Sequence, residues 1–358
     1  MKLLALTEGA DHVCFRYRIG AFQPALESAG IALTVAPLAR DLRVRLGQLR
    51  AASDADVVIL QRRLLPRWQL WLLRRAARTL IYDFDDAVFR RSSLSRRRTI
   101  SWTRRRGFAA TVRMADLAIA GNPFLHDAAA RLVGADRVRL IPTCIETTKY
   151  PQAEHGRSGS DVRLVWIGQR STLRYLVDGR QCLGAVAQRL PGIELRVVSD
   201  VFPDDVGIAV APRNWSQQSE AHEIANADIG ISWLSDDDWS RGKCGLKVLQ
   251  YMAAGLPVVA NPVGANRDMV IDGETGYLAS TPNEWAAAIE RLAHDPAKRR
   301  AMGERGRHLA AERYGIDRWA PEFVATMLRL SRYEVSHVRI SSRTDAGQEL
   351  VDQQGKTC

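Results

Sequence analysis

The sequence predicts an α/β protein built as two doubly wound domains facing each other across a cleft. Three features carry that prediction. Short apolar runs alternate with stretches of helical periodicity, a polar stretch rich in Gly, Pro and Ser at Tyr150–Ser160 interrupts them, and the alternation then restarts. Strands separated by helices imply a parallel sheet covered by helices on both faces. At 358 residues the chain is long for one core and comfortable for two.

The elements follow in order. Leu3–Leu6 is the first strand, Arg16–Ala29 a helix closed by Gly30, and Ile31–Ala36 the second strand. A helix near Asp41–Ala52, strand Val57–Leu60 and helix Pro66–Ala77 come next, the last with Pro at its start, where the missing N–H costs nothing. Strand Leu80–Tyr82 ends in Asp83-Phe84-Asp85-Asp86; helix Ser95–Met114, strand Leu117–Ala120, helix Pro123–Leu132 and strand Val138–Ile141 complete the first half. The second half reads as strand Val162–Ile167, helix Leu173–Leu190, strands Leu195–Val198 and Ile208–Ala211, helix Gln217–Ala225 and strand Ile229–Trp233. A helix from Lys243, strand Val258–Val259 and helices near Pro282–His294, Pro296–Arg313 and Arg318–Leu330 follow. The predicted organisation is a domain over 1–148, a linker over 149–160, a second domain over 161–315, a helix over 316–332 that returns to the first domain, and a polar, loosely ordered tail over 333–358.

Composition narrows the class. Hydrophobic content of 46% with 25% charged residues is that of a globular protein, and no apolar run approaches the roughly 18 residues of a membrane span. The start, MKLLALTEGA, reads as a strand and not as a signal peptide. Five scattered cysteines (Cys14, Cys144, Cys182, Cys244, Cys358) have no metal-ligand spacing and read as reduced thiols of a cytoplasmic protein. The net charge of +11 is uneven: residues 1–150 hold 26 Lys+Arg against 13 Asp+Glu, and the remainder is slightly acidic. An anionic partner on the first half is therefore expected, whether membrane headgroups, a phosphorylated acceptor or nucleic acid.

The stretch Ser240–Ala279 concentrates the chemistry. On a helix drawn from Lys243, the residues Lys243, Lys247 and Gln250 share one side within about 60°. Leu246, Leu249, Met252 and Ala253 face the other way. Two ammonium groups, an amide and a glycine-bearing helix start at Gly245 suit a diphosphate with a polyhydroxyl group beyond it. A second phosphate-cradling turn, Gly168-Gln169-Arg170-Ser171-Thr172, closes strand Val162–Ile167, with Arg170 or Arg174 as the counter-charge.

These residues carry a resemblance. Leu249–Val259, Pro262-Val263-Gly264, Asp272–Leu278, Trp166-Ile167-Gly168, Met302-Gly303, Gly306-Arg307 and Tyr82–Phe89 are similar to the retaining glycosyltransferases of family 4, which have the two-domain GT-B fold. The resemblance covers most of residues 1–330 and is most specific over 240–310. It implies a C-terminal domain that binds a nucleoside diphosphate sugar through Gly168, Arg170, Ser171, Lys243, Gly245, Lys247 and Gln250. It also implies an N-terminal acceptor domain and no metal or other cofactor. Two positions depart from the family pattern. Gly242 and Gln250 stand where the family carries two glutamates, and Lys243-Cys244-x-x-Lys247 resembles a subgroup in which lysines take over part of the diphosphate contact.

Further candidates lie elsewhere. Asp85 and Asp86, with Asp83 before them, would orient the acceptor hydroxyl or the transferred sugar, one alternative being a helix cap and another a metal site. His126 and His12 are candidates for acid or base work. Asp236-Asp237-Asp238 reads as a solvated acidic loop. Eight arginines lie over 90–106 (Arg90, Arg91, Arg96, Arg97, Arg98, Arg104, Arg105, Arg106) with Trp102 among them, and Pro66–Arg78 mixes Trp68 and Trp71 with four more. That combination suits an anionic membrane surface, and no nucleic-acid-binding motif is present.

The expected function is transfer of a sugar, with retention, from a nucleoside diphosphate sugar to a hydroxyl of a lipid-linked or cell-surface saccharide. The expected location is the cytoplasm, at the inner face of the membrane. A non-catalytic relative, a sugar-nucleotide epimerase on the same scaffold and a nucleic-acid-binding protein are the alternatives.

Overall fold

Twelve parallel strands, six in each half, organise the computed structural model, which describes residues 1–92 and 100–331. The first sheet holds β1 (Lys2–Thr7), β2 (Ala32–Pro37), β3 (Val57–Gln61), β4 (Thr79–Phe84), β5 (Leu117–Ala120) and β6 (Val138–Leu140), in the order β2-β1-β3-β4-β5-β6. The second holds β7 (Arg163–Ile167), β8 (Glu194–Ser199), β9 (Ala209–Asn214), β10 (Ile229–Ser232), β11 (Val258–Ala260) and β12 (Gly276–Leu278), in the order β12-β11-β10-β7-β8-β9. Both orders reverse direction beside the first strand of their half, which opens a crevice at the carboxyl edge.

Every residue of β3 and β4 is buried, as strands covered on both faces must be. One face of the first sheet packs on helices Leu42–Arg50, Arg67–Ala76, Trp102–Met114 and Pro123–Val133 through Leu49, Leu70, Leu73, Phe108 and Leu125. The other face packs on Phe15, Phe22 and Leu26 and on a helix over 316–331 that crosses back from the second half. There Phe323 stacks on Phe22 with ring centroids 4.5 Å apart. Fully burying side chains of this size contributes about 2–3 kcal/mol each, so the returning helix is anchored to the N-terminal half.

Several expected elements are altered. The helix expected over Arg16–Ala29 is broken into helix Val13–Arg16, a 3₁₀ turn at Gly20–Phe22 and helix Gln23–Ser28. Its break lets the Arg18 side chain run down to Asp83 at the end of β4, with Nε 3.0 Å from Oδ1. The helix expected over Leu173–Leu190 is two, Leu173–Asp178 and Arg180–Arg189, joined at Gly179 against the Trp233 ring. The helix expected from Lys243 starts at Leu246, because Gly245 takes a left-handed conformation (φ 66°) and cannot continue a helix backwards. Strand β12 was not expected, since three residues after a Gly-rich turn show no periodicity. The helix expected from Ser95 begins at Trp102, capped by Ser101. Arg96, Arg97 and Arg98 and the tail over 333–358 lie outside the described residues.

The stretch after Tyr150 is packed against the second half. Tyr150 is buried, His155 Nε2 lies 2.9 Å from the Gly255 carbonyl, and Arg157 pairs with Asp228 at 3.1 Å.

Candidate functional site

The carboxyl edges of the two sheets enclose a cleft of about 410 Å³, lined from both halves. From the N-terminal half come His12, Arg16, Tyr17, Arg62, Asp85 and Asp86, and from the C-terminal half Gly168, Ser171, Thr172, Glu220, Lys243, Gly245, Lys247 and Gln250. Of the residues singled out in the sequence, His12, Asp85, Asp86, Gly168, Ser171, Lys243, Gly245, Lys247 and Gln250 thus meet in one place.

Lys247 sits in the first turn of helix Leu246–Ala253, its Nζ 5.0 Å from the centre of the Trp166 ring and 3.5 Å from Thr172 Oγ1. Among the described residues no carboxylate pairs with it. Burial, and then the nearby Lys243 ammonium, push its pKa down to about 7. An ammonium in that condition gains most from an anionic ligand.

Lys243 lies before the helix, in the turn that follows helix Asp238–Arg241. Its Nζ lies over the rings of Trp239 and Tyr175, 5.4 and 5.8 Å from their centres, and 3.6 Å from Asp86 across the cleft. Burial alone would lower its pKa, but Asp86 and Tyr175 reverse this and raise it. Lys243 is therefore held as a cation and Lys247 is the titratable one.

Asp85 and Asp86 follow β4 and meet Arg62, which follows β3. Arg62 Nη2 donates to Asp86 Oδ2 at 2.7 Å, and its Nε stands 3.5 Å from Asp85 Oδ1. That Nε and Asp85 Oδ1 are both buried with no hydrogen-bond partner. Arg62 is the one non-glycine residue of the described chain with positive φ, at 57°. Such a backbone costs about 1–3 kcal/mol and persists where surroundings hold it; here Asp85 and Asp86 hold the side chain and the Asp83 carbonyl accepts from the Arg62 N–H at 2.8 Å. Asp83 is different: it is buried beneath the cleft, bound to Arg18 and to Gln61 at 3.1 Å, and holds the sheet end together.

Gln250 is buried, and its amide nitrogen donates to the hydroxyls of Tyr17 and Tyr150 at 3.2 Å each. Tyr17 also donates to Glu220 at 3.0 Å. Glu220 accepts from Arg16 at 2.8 Å and from the Trp215 indole at 2.9 Å. This network joins the two halves at the cleft floor. A carboxylate at 250 accepts only and would face Glu220, whereas the amide supplies the donor the two hydroxyls need. Gly242 has an equally local reason. A Cβ there would lie 2.6 Å from Ala87 Cβ and 2.8 Å from Ala87 N, so the N-terminal half leaves no room for a glutamate. The same loop is clamped by the Asn122 amide, which donates to the Lys243 carbonyl at 3.0 Å, and by Cys244 Sγ on the Asp85 carbonyl at 3.2 Å.

Two of the expected site residues are elsewhere. Arg170 is exposed on the far side of its turn, where its backbone N–H bonds Asp200 at 3.1 Å, and Arg174 lies 3.6 Å from Asp178. The turn thus offers the cleft Gly168, Ser171 and Thr172 but no arginine. His126 points away from the cleft, its Nδ1 3.2 Å from Asp127. Helix Pro123–Val133 turns its Asn122 cap onto the Lys243 loop and carries His126 away one turn later. His12 does line the cleft, 3.2 Å from Glu8. In the acidic loop, Asp237 caps helix Asp238–Arg241, Asp236 pairs with Arg241 at 2.9 Å and Asp238 with Arg90 at 2.5 Å. Arg62, Tyr17, Tyr150 and Glu220 were missed in the sequence. Only Arg62, directly after an apolar strand, had a positional signal.

The chain is similar to known proteins in part of its sequence and in its fold. Residues 234–309, which hold both lysines and Gln250, match the family model described as Glycosyl transferases group 1. The chain is 41% identical over 209 residues to a D-inositol 3-phosphate glycosyltransferase of Arthrobacter sp., covering 52% of this chain and 48% of that protein. It is 34% identical over 189 residues to the putative glycosyltransferase EpsD of Bacillus subtilis, covering 50% and 48%. The chain spans about half the length of these curated relatives. Among solved structures, sucrose-phosphate synthase from Thermosynechococcus elongatus superposes with a TM-score of 0.68 at 19% identity, covering 94% of this chain and 99% of that one. Anabaena HepE in complex with UDP and glucose superposes at 0.64 and 16%, covering 92% and 100%. The chain therefore has the GT-B fold, and its C-terminal half carries a glycosyl transferases group 1 segment that frames the cleft.

Proposed function

We propose that the cleft transfers a sugar, with retention, from a nucleoside diphosphate sugar to a hydroxyl of a lipid-linked or cell-surface saccharide. The observation that carries this is Lys247, a cation in the cleft with its charge suppressed by burial and no carboxylate partner among the described residues. Lys243 stands in the turn just before the glycine-bearing start of helix Leu246–Ala253. Negative charge builds on the leaving diphosphate in the transition state, and preorganised cations with helix-start N–H groups stabilise it there more than in the ground state. No metal or other cofactor enters this scheme. The binding of UDP by a structural neighbour supports a nucleotide donor.

Asp85 lines the cleft from the other half, with its Oδ1 3.5 Å from Arg62 Nε. It accepts the hydrogen bond of the acceptor hydroxyl, while Arg62 and Asp86 hold it in place. Gln250 acts through the tyrosine pair and keeps the two halves in register. Arg170 and His126 have no part in this scheme.

Lys247→Ala should abolish the rise in melting temperature that a matching nucleoside diphosphate produces, and should lower kcat/KM for the sugar donor at least about a hundredfold. Unchanged turnover would sink the reading. Interconversion of nucleotide sugars without acceptor would assign an epimerase instead, and nucleotide binding without turnover by any sugar donor a non-catalytic relative.

A further inference from the structure

The basic half carries a second surface, separate from the cleft lining. Helices Leu42–Arg50, Arg67–Ala76 and Trp102–Met114 lie side by side on one face of the first sheet. Together they hold ten arginines and no aspartate or glutamate. Among the described residues only one of the ten, Arg74, makes an ion pair with a carboxylate, Asp116.

Their core-facing side chains are fully used, so the apolar groups on the outside are surplus to the core. Trp68, Trp71 and Trp102 are 49%, 51% and 68% exposed, and Leu42, Val44 and Ile100 are exposed beside them. These six are two-thirds of the nine large hydrophobic residues exposed on the described chain. Exposed apolar side chains gathered on neighbouring helices mark an interface. Arginine lies over two of the rings, Arg75 over Trp71 at 4.9 Å and Arg105 over Trp102 at 5.3 Å. The position is also informative. Five of the six lie in, or just before, the first turn of their helices and Trp71 opens the second turn of its own, and these helices start at the carboxyl edge of the sheet. Arg62, Asp85 and Asp86 line the cleft at that same edge.

We infer that this three-helix face docks the protein on an anionic lipid bilayer, with the rings at headgroup depth and the arginines on lipid phosphates. A bilayer interface takes indole rings and aliphatic side chains together with arginines. Binding to a nucleic-acid backbone would use the arginines and leave Leu42, Val44 and Ile100 unaccounted for. Docked this way, the mouth of the cleft lies beside the headgroups, where a lipid-linked hydroxyl is presented. The inference rests on the exposed face and not on the transfer reaction, so either can fail alone.

Co-sedimentation of the full chain with vesicles tests it, using phosphatidylcholine alone or with about one-third phosphatidylglycerol. The protein should pellet with the anionic vesicles, release as salt rises and ignore the neutral ones. The triple variant Trp68→Ser/Trp71→Ser/Trp102→Ser and the charge variant Arg67→Glu/Arg75→Glu should each weaken binding roughly tenfold. Both should keep the parent's melting temperature and circular dichroism spectrum, which report an intact fold. Absence of vesicle binding, binding that both variants retain, or displacement from vesicles by single-stranded RNA would overturn the inference.

Discussion

Lys247 is where a single side chain does most to set the chemistry. Its pKa is brought from an ordinary 10.5 to about 7 by burial and by Lys243. The sign follows from linkage. Between about pH 7 and 10.5 the unfolded chain holds this proton and the folded one does not, so the folded state gains relative stability as pH rises through that window. Lys247→Met should therefore stabilise the free protein most near pH 6, and its advantage should shrink toward pH 10, as followed by chemical denaturation. A bound diphosphate reverses the preference by restoring the charge. Calorimetry of nucleoside diphosphate binding in buffers of different ionisation enthalpy, corrected for the ligand's own ionisation, should show net proton uptake at pH 8 that falls away as pH drops below about 7. An uptake independent of pH would refute the assignment of Lys247. Gln250 teaches the same lesson by chemistry instead of charge. Two tyrosine hydroxyls beside a buried glutamate need a donor, and an amide has one.

Among the elements, helix Leu246–Ala253 matters most, because its start faces the cleft while its other sides are locked. Six of its eight residues are buried, Tyr251 donates no freedom to the site since its hydroxyl accepts from Ile167 N–H at 3.0 Å, and helix Pro296–Tyr314 closes over it. The closure is backbone on backbone: a Cβ at Gly303 would collide with the Gly255 carbonyl at the turn that ends the shorter helix. Gly303→Val should cost about 3 kcal/mol in urea unfolding, an overpacking effect with no slack to absorb it. A loss below about 0.5 kcal/mol would show that the two helices are not in this contact. Gly245 works at the other end. A side chain there would lie 2.7 Å from the Met269 sulfur and 2.8 Å from Ala265 Cβ, and the left-handed backbone favours glycine in any case. The helix can bring Lys247 to the cleft because both its ends are pinned by glycines.

At the scale of the molecule, two sheets are joined by few but specific contacts. The loop around Lys243 touches the N-terminal half through Asn122, Asp85 and Ala87, and the cleft floor is closed by Arg16, Tyr17, Tyr150, Gln250 and Glu220. Gly242→Glu should wedge Ala87 away from this loop, costing about 1–3 kcal/mol and raising the radius of gyration in small-angle scattering. An unchanged radius and a gain in turnover would mean instead that a carboxylate at 242 fits and serves the donor.

The sequence by itself determined the architecture and the neighbourhood of the chemistry. Alternating apolar runs set two parallel sheets, and Lys243, Lys247, Asp85 and Asp86, picked out at strand and helix ends, line one cleft. These are local signals, and local periodicity survives into the fold when each segment has one face to bury. Which of the remaining candidates face the cleft was decided only in three dimensions. Arg170 sits between the cleft-lining Gln169 and Ser171 yet is exposed, and His126 follows Asn122, which holds the Lys243 loop, by one turn yet lies against Asp127. Arg62, Tyr17, Tyr150 and Glu220 come from four separate places in the chain and meet only when the halves close. Their roles, like the reasons for Gly242 and Gln250, rest on distances between residues far apart in sequence, which spacing along one chain does not encode.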